Sequence, residues 1–243
     1  MTPDSVSPTP TPKPKRAYTA RGDIDKSLLD DIQTGRVVLA AANNGDYNAD
    51  ILTRVKPAVL TRLDGNLKTA ADDPDTNLSK DVINTKKAAG VATQEEADGY
   101  DTLMTALRVI QKAAGTTYKK DAARRTAYLI GQKNFGTNRG TLEADASAII
   151  NLAKTDTLDN LVPADLTAAQ AALDAWKQAN QAQNDAQDAY SHAVQALRDV
   201  VALINDDRRT IQAGADVLYS YKDAANAPTR RAFQLPASRP MPV

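Results

Sequence analysis

The stretch Tyr100-Asp-Thr-Leu-Met-Thr-Ala-Leu-Arg-Val-Ile110 has a counterpart ninety residues on, Tyr190-Ser-His-Ala-Val-Gln-Ala-Leu-Arg-Asp-Val200. Tyr, Ala, Leu and Arg coincide, Met104/Val194 and Ile110/Val200 are alike, and Asp98 matches Asp188 just upstream. In both copies the apolar residues recur every three or four positions, the spacing of a helix face. Gly45 and Gly136 stand at nearly the same offset, each closing one helix before another begins. Such self-similarity marks a repeat architecture. It predicts an all-α chain of two similar antiparallel three-helix units, residues 24–115 and 116–204. A capping helix over 205–226 then covers the last apolar stripe. Arg208-Arg209-Thr210 echoes Arg124-Arg125-Thr126, so this helix reads as the start of a third, truncated copy.

Working outward, residues 24–43 carry a helical pattern that stops at Asn43-Asn44-Gly45, a strong breaker. A second pattern covers 51–67 with Pro57 inside it, which implies a kink or a fresh start with proline at the first helical position. Asp72-Asp73-Pro74-Asp75 is a turn. A long pattern from Leu78 to Ala114 divides if Gly90 ends one helix and Thr93-Gln94-Glu95-Glu96 caps the next. Further helices are expected over 119–134, 140–154, 165–204 and 206–225. No segment alternates with period two, so no strand is expected.

Composition sharpens this. Of 243 residues, 43 are Ala, the best helix former and the weakest core filler. Asp outnumbers Glu by 27 to 3, which favours many capped helix starts. The formal charge is zero, but only as an average. Residues 1–23 sum to +2, residues 224–243 to +3 and the body between them to −5. Nine of the 12 prolines lie in the two ends. The chain reads as an acidic helical body between a basic Pro/Thr-rich arm, 1–23, and a basic Pro-rich tail, 227–243.

Few residues suit catalysis. There is no Cys, so a thiolate nucleophile, a disulfide and a thiolate metal site are excluded. His192 is the only histidine and Asp188 precedes it by one helical turn. One His with three Glu cannot form the paired Glu-x-x-His motifs of a di-metal bundle. No phosphate-binding glycine loop occurs, and the acidic turn 72–75 lacks the glycine and terminal Glu of an EF-hand. The expectation is a non-enzymatic protein without metal or cofactor. Trp176, Tyr190 and His192 are the residues a small-molecule or cofactor site would use. Arg21-Gly22-Asp23 and Asn77-Leu78-Ser79 match an adhesion tripeptide and a glycosylation sequon. The start has no apolar leader segment, so both read as coincidence in a cytoplasmic protein.

The arms are where function is expected. Lys13, Lys15, Arg16 and Arg21 at one end, and Arg230, Arg231, Phe233, Leu235 and Arg239 at the other, combine charge with apolar anchors. They suit self-association between copies or a protein partner, and Phe233 and Leu235 equally suit packing on their own body. The alternative is nucleic acid held through the same cations. A membrane partner is not expected, because no stretch approaches the ~18 apolar residues of a span.

Overall fold

The computed structural model describes residues 24–75, 77–132, 135 and 138–236, and every regular element among them is helical. The chain order is α1 (Lys26–Asn43), α2 (Asn48–Ile51), α3 (Pro57–Leu67), a five-residue π-turn Lys68–Asp72, α4 (Leu78–Thr117), α5 (Ala122–Ala127), α6 (Arg139–Thr155), α7 (Pro163–Leu218), a 3-10 turn Ala224–Asn226 and α8 (Ala227–Ala232). Among the described residues no helix is long and apolar enough to cross a membrane.

Helix starts account for part of the Asp and Asn content. The side chains of Asp25, Asn77, Asp121 and Asn138 each accept a backbone N–H of the first turn that follows, at 2.8–3.0 Å. Pro57 stands at the first position of α3, where its missing N–H costs nothing. Inside the long helices a glutamine one turn earlier donates to an aspartate in Gln94–Asp98, Gln170–Asp174, Gln181–Asp185 and Gln195–Asp199. These i,i+4 bonds each offset a few tenths of a kcal/mol of the poor helix propensity of Asp.

The spine is an antiparallel pair. α7 has 56 residues and α4 has 40, which makes them about 84 Å and 60 Å long. Their facing residues repeat every seven positions: Trp176, Gln183, Tyr190 and Leu197 on α7, and Val82, Ala89, Glu96, Leu103 and Ile110 on α4; on α7 the repeat continues through Ile204 and Ile211, which lie beyond the start of α4 and join the first core. A seven-residue repeat keeps one seam in register along a gentle left-handed supercoil. Close approach is visible at Gly99, where an added Cβ would stand 3.4 Å from Cα of Trp176.

Two cores lie along this spine. The first gathers Ile32, Val38, Ile51, Leu63, Leu67 and Val82 with Leu197, Val201, Ile204 and Ile211 of α7 and Phe233 near the C-terminal end. The second gathers Leu103, Leu107 and Ile110 of α4 with Tyr128, Ile149, Ile150 and the α7 residues Leu173 and Trp176. Each is thus a three-helix bundle, α1–α3–α7 and α4–α6–α7. Between them, over about 83–102 and 177–196, the spine is two helices wide. The only buried residues there are Ala89, Gly90 and Ala92.

This revises the expected boundaries. The cores do not follow the segments 24–115 and 116–204, because the first draws its third helix from beyond residue 196 and the second takes the C-terminal half of α4. The separate capping helix at 205–226 is instead the uninterrupted end of α7, and α4 runs through Gly90 without a break. The helix expected over 119–134 contracts to Ala122–Ala127.

Two predictions follow from the packing. A Cβ at Gly214 would lie 2.6 Å from Cγ2 of Val55, whereas one at Gly65 meets nothing within 4 Å. Gly214→Ala should lower stability by ~1–3 kcal/mol in chemical denaturation, and Gly65→Ala should raise it by ~0.5–1 kcal/mol. In hydrogen exchange, amides of the Ala-lined waist should exchange faster than those of Leu103–Ala114 and Leu197–Ile211, because little apolar surface is buried there.

Candidate functional site

Of the residues singled out in the arms, Lys13, Lys15, Arg16, Arg21 and Arg239 lie outside the described residues. The other four occupy and follow α8. Phe233 is fully buried in the first core, Leu235 packs against it half-buried, and Arg231 is exposed. Arg230 is 2% exposed. Its guanidinium donates to Asp216 Oδ1 at 2.6 Å and to the carbonyls of Tyr219 at 2.6 Å and Pro236 at 2.9 Å. A buried cation needs such a full set of acceptors. Arg230 and Phe233 therefore close their own bundle, and residues 227–236 are part of the body, not a free tail.

The same closure is built at the far end of the spine. Tyr118 ends α4 and Tyr219 ends α7, each with its N–H on an alanine carbonyl four residues back, at 2.8 Å. A six-residue helix follows each, α5 or α8, and stops at a buried aromatic, Tyr128 or Phe233. The next residue takes a left-handed conformation, with φ of 51° at Leu129 and 56° at Gln234. The residue after that returns its N–H to the helix, Ile130 to Arg125 at 2.9 Å and Leu235 to Arg230 at 2.8 Å. A glutamine of the long helix donates to the aromatic residue's carbonyl, Gln111 to Tyr128 at 3.0 Å and Gln212 to Phe233 at 2.9 Å. The rings stack alike: Tyr118 on Tyr128 at 6.1 Å and 22°, Tyr219 on Phe233 at 6.1 Å and 20°. Tyr118 and Tyr219 are 101 residues apart, eleven more than in the repeat read from sequence. Tyr128 follows Tyr118 by ten positions and Phe233 follows Tyr219 by fourteen, and this four-residue difference in spacing hides the correspondence in the sequence.

Both closures carry an Arg–Asp pair and set an aspartate beside a tyrosine hydroxyl. Asp156 accepts the Tyr128 hydroxyl at 3.0 Å and Arg124 at 3.0 Å, and Arg124 lies 5.7 Å above the Tyr118 ring. Burial first, and the bond to Asp156 second, push the Tyr128 hydroxyl well above its ordinary pKa. Burial and Asp50 raise Tyr219 in the same direction.

The residues considered for a small-molecule site are not brought together. Trp176 is buried in the second core, with its indole N–H donating to Glu96 Oε1 at 3.0 Å, and Arg139 holds the other oxygen of Glu96 at 3.2 Å. This network ties α4, α6 and α7 at the edge of the waist. His192 and Asp188 are exposed on α7. Tyr190 instead lines a cleft of about 260 Å³ where the waist meets the first bundle. Leu28, Val82, Val194 and Leu197 form the rest of its floor, Ile24 closes one side, and Asp25 and Arg198 are exposed at its rim. The Ser27 backbone N–H, then its hydroxyl, and more weakly Arg198 hold Asp25 below the usual carboxylate range. Among the described residues no group of three or more His, Asp and Glu is arranged to hold a metal ion.

No protein-family model, curated protein or solved structure matches the chain.

The Tyr128–Asp156 pair predicts an alkaline effect. A raised folded-state pKa means that the unfolded chain releases the proton first, so stability is lost as pH climbs past 10.0, the ordinary tyrosine value. Tyr128→Phe should cost ~1.5 kcal/mol near neutrality, since Phe233 shows that the position accepts the ring without its hydroxyl. Urea denaturation from about pH 8 to about pH 11 should then show a shallower alkaline loss in the variant than in the parent.

Proposed function

We propose that the protein is a non-enzymatic structural or interaction protein, cytoplasmic, whose basic arms join it to other copies or to a protein partner. The observation that carries this reading is α7, a single 56-residue helix shared by both cores. A continuous helix holds two bundles at a fixed separation, which suits a spacer. The waist adds to the reading. Lys86, Lys87 and Lys177 are opposed there by Glu95, Glu96, Asp98, Asp101, Asp185 and Asp188, so its charge is opposite to that of the N-terminal arm. Opposite charges on arm and body steer copies together and favour particular pairings over others. We further infer that the body derives from two related helical units. The matched closures at Tyr118–Ile130 and Tyr219–Leu235 support this, although they follow a different offset from the repeat around Tyr100 and Tyr190.

The structure decides how assembly is tested. Removing residues 228–243 would take Arg230 and Phe233 out of the first core, so the truncations must be 1–23 and 237–243. Light scattering of the full chain should give a mass above 26.0 kDa that falls when either segment is removed. A monomer in parent and truncations alike refutes assembly through the arms.

A further inference from the structure

The cleft beside Tyr190 takes no part in either bundle closure. Leu28 of α1, Val82 of α4, and Val194 and Leu197 of α7 give it an apolar floor. Three polar groups line it as well: the Asp25 carboxylate, the Arg198 guanidinium and the Tyr190 phenol. The fold makes little use of them. Asp25 Oδ1 accepts both the Ser27 N–H at 3.0 Å and the Ser27 hydroxyl at 2.9 Å, so Oδ2 is left over. Arg198 and the Tyr190 hydroxyl make no hydrogen bond or ion pair with any described residue. Arg198 is near enough to lower the Asp25 pKa, yet the two charges stand more than 4.0 Å apart and do not pair. The Ser27 bonds, and more weakly Arg198, keep Asp25 ionised at neutral pH. An apolar hollow with a few polar groups facing it is the general form of a small-molecule site. At about 260 Å³ it lies below the ~300–1,000 Å³ of drug-sized pockets, so its ligand is smaller than those.

Two opposite charges held apart at the rim of an apolar hollow call for a ligand that carries both charges beside an apolar group. A free α-amino acid has this form, because its ammonium, its carboxylate and its side chain all leave one carbon. A peptide end offers only one of the two charges. We propose that the cleft binds a free apolar α-amino acid of leucine or phenylalanine size, with its ammonium on Asp25, its carboxylate on Arg198 and its side chain on the apolar floor. The Tyr190 hydroxyl supplies a further hydrogen-bond donor to the carboxylate. Each charged contact is stronger than a neutral hydrogen bond, and the buried side chain adds to both. The ligand ties the start of α1 to α7 and undergoes no reaction. The inference stands whether or not the arms join copies.

Titration of the full chain with L-leucine and with L-phenylalanine, followed through the methyl NMR signals of Val194 and Leu197, tests it. At least one of the two should give saturable shifts with a Kd of about 1 mM or tighter. Three poorer probes each lack one part of the ligand. Glycine has no side chain, N-acetyl-L-leucine no ammonium and L-leucinamide no carboxylate. Each should bind at least about tenfold more weakly than L-leucine. Arg198→Gln and Asp25→Ser should each weaken amino-acid binding by a similar factor. Serine still caps α1, so helicity and the thermal midpoint should stay close to those of the parent in both variants. The absence of any saturable shift by ~10 mM in the parent would overturn the proposal. So would undiminished binding in the two folded variants, or glycine binding as well as L-leucine. If N-acetyl-L-leucine or L-leucinamide matched L-leucine, the cleft would be reading a peptide end, and the free amino acid would fall as its ligand. Light scattering of the same samples reports assembly separately.

Discussion

The seam between α4 and α7 is the constraint on which the other elements depend. It changes character along its length. At the two ends Leu, Ile and Val fill the repeating positions, and a third helix covers them. In the middle the same positions hold Ala89, Glu96 and Gln183, with no third helix. Alanine there buries little area, so the middle adds few kcal/mol of its own. It persists because both helices are anchored beyond it, and small residues let the backbones approach. The polar positions serve a different purpose. A seam of alanines tolerates sliding by one heptad, whereas Glu96 receives Trp176 and Arg139 only in one register. Polar residues at such positions specify alignment at some cost in stability.

Each bundle also has to stop its spine helix, and both ends do so by the same means. A tyrosine ends the long helix, a short helix turns back, and a buried aromatic locks the turn. The left-handed residue at each turn is Leu129 or Gln234, not glycine. Such residues carry ~1–2 kcal/mol of strain, which the buried ring and the glutamine bond beneath it offset.

Much of the helix inventory was readable from the chain. The Asn43-Asn44-Gly45 stop, the start at Pro57 and the α6 span all rest on local chemistry that tertiary contacts do not override. The misreadings have a common cause. Asn205-Asp206-Asp207 resembles a helix start, yet Asn205 donates to Asp31 and Asp207, 1% exposed, pairs with Arg62. Cap-forming side chains were spent on neighbouring helices, and α7 continued through them. Gly90 does not end α4 for a related reason: it is buried in the waist, where a glycine gives room instead of a stop. For Phe233 the sequence leaves partner anchoring and packing on its own body equally open, and only the fold, which brings Asp216 to Arg230 and the first core to Phe233, decides for the second.

The way α7 is shared has a consequence for synthesis of the chain. The second core uses residues 103–176 and is contiguous, so it can condense as soon as that stretch is free. The first core joins residues 24–82 to residues 197–233 and encloses the second within its own span. At ~5–20 residues per second, its N-terminal half waits roughly 8–30 s for the segment that completes it. During that interval α1 and α3 expose the face they later lay on α7. The last bundle to form is therefore the one whose first helices are made before those of the other, and the apolar surface most in need of protection is the face that α1 and α3 hold ready for α7.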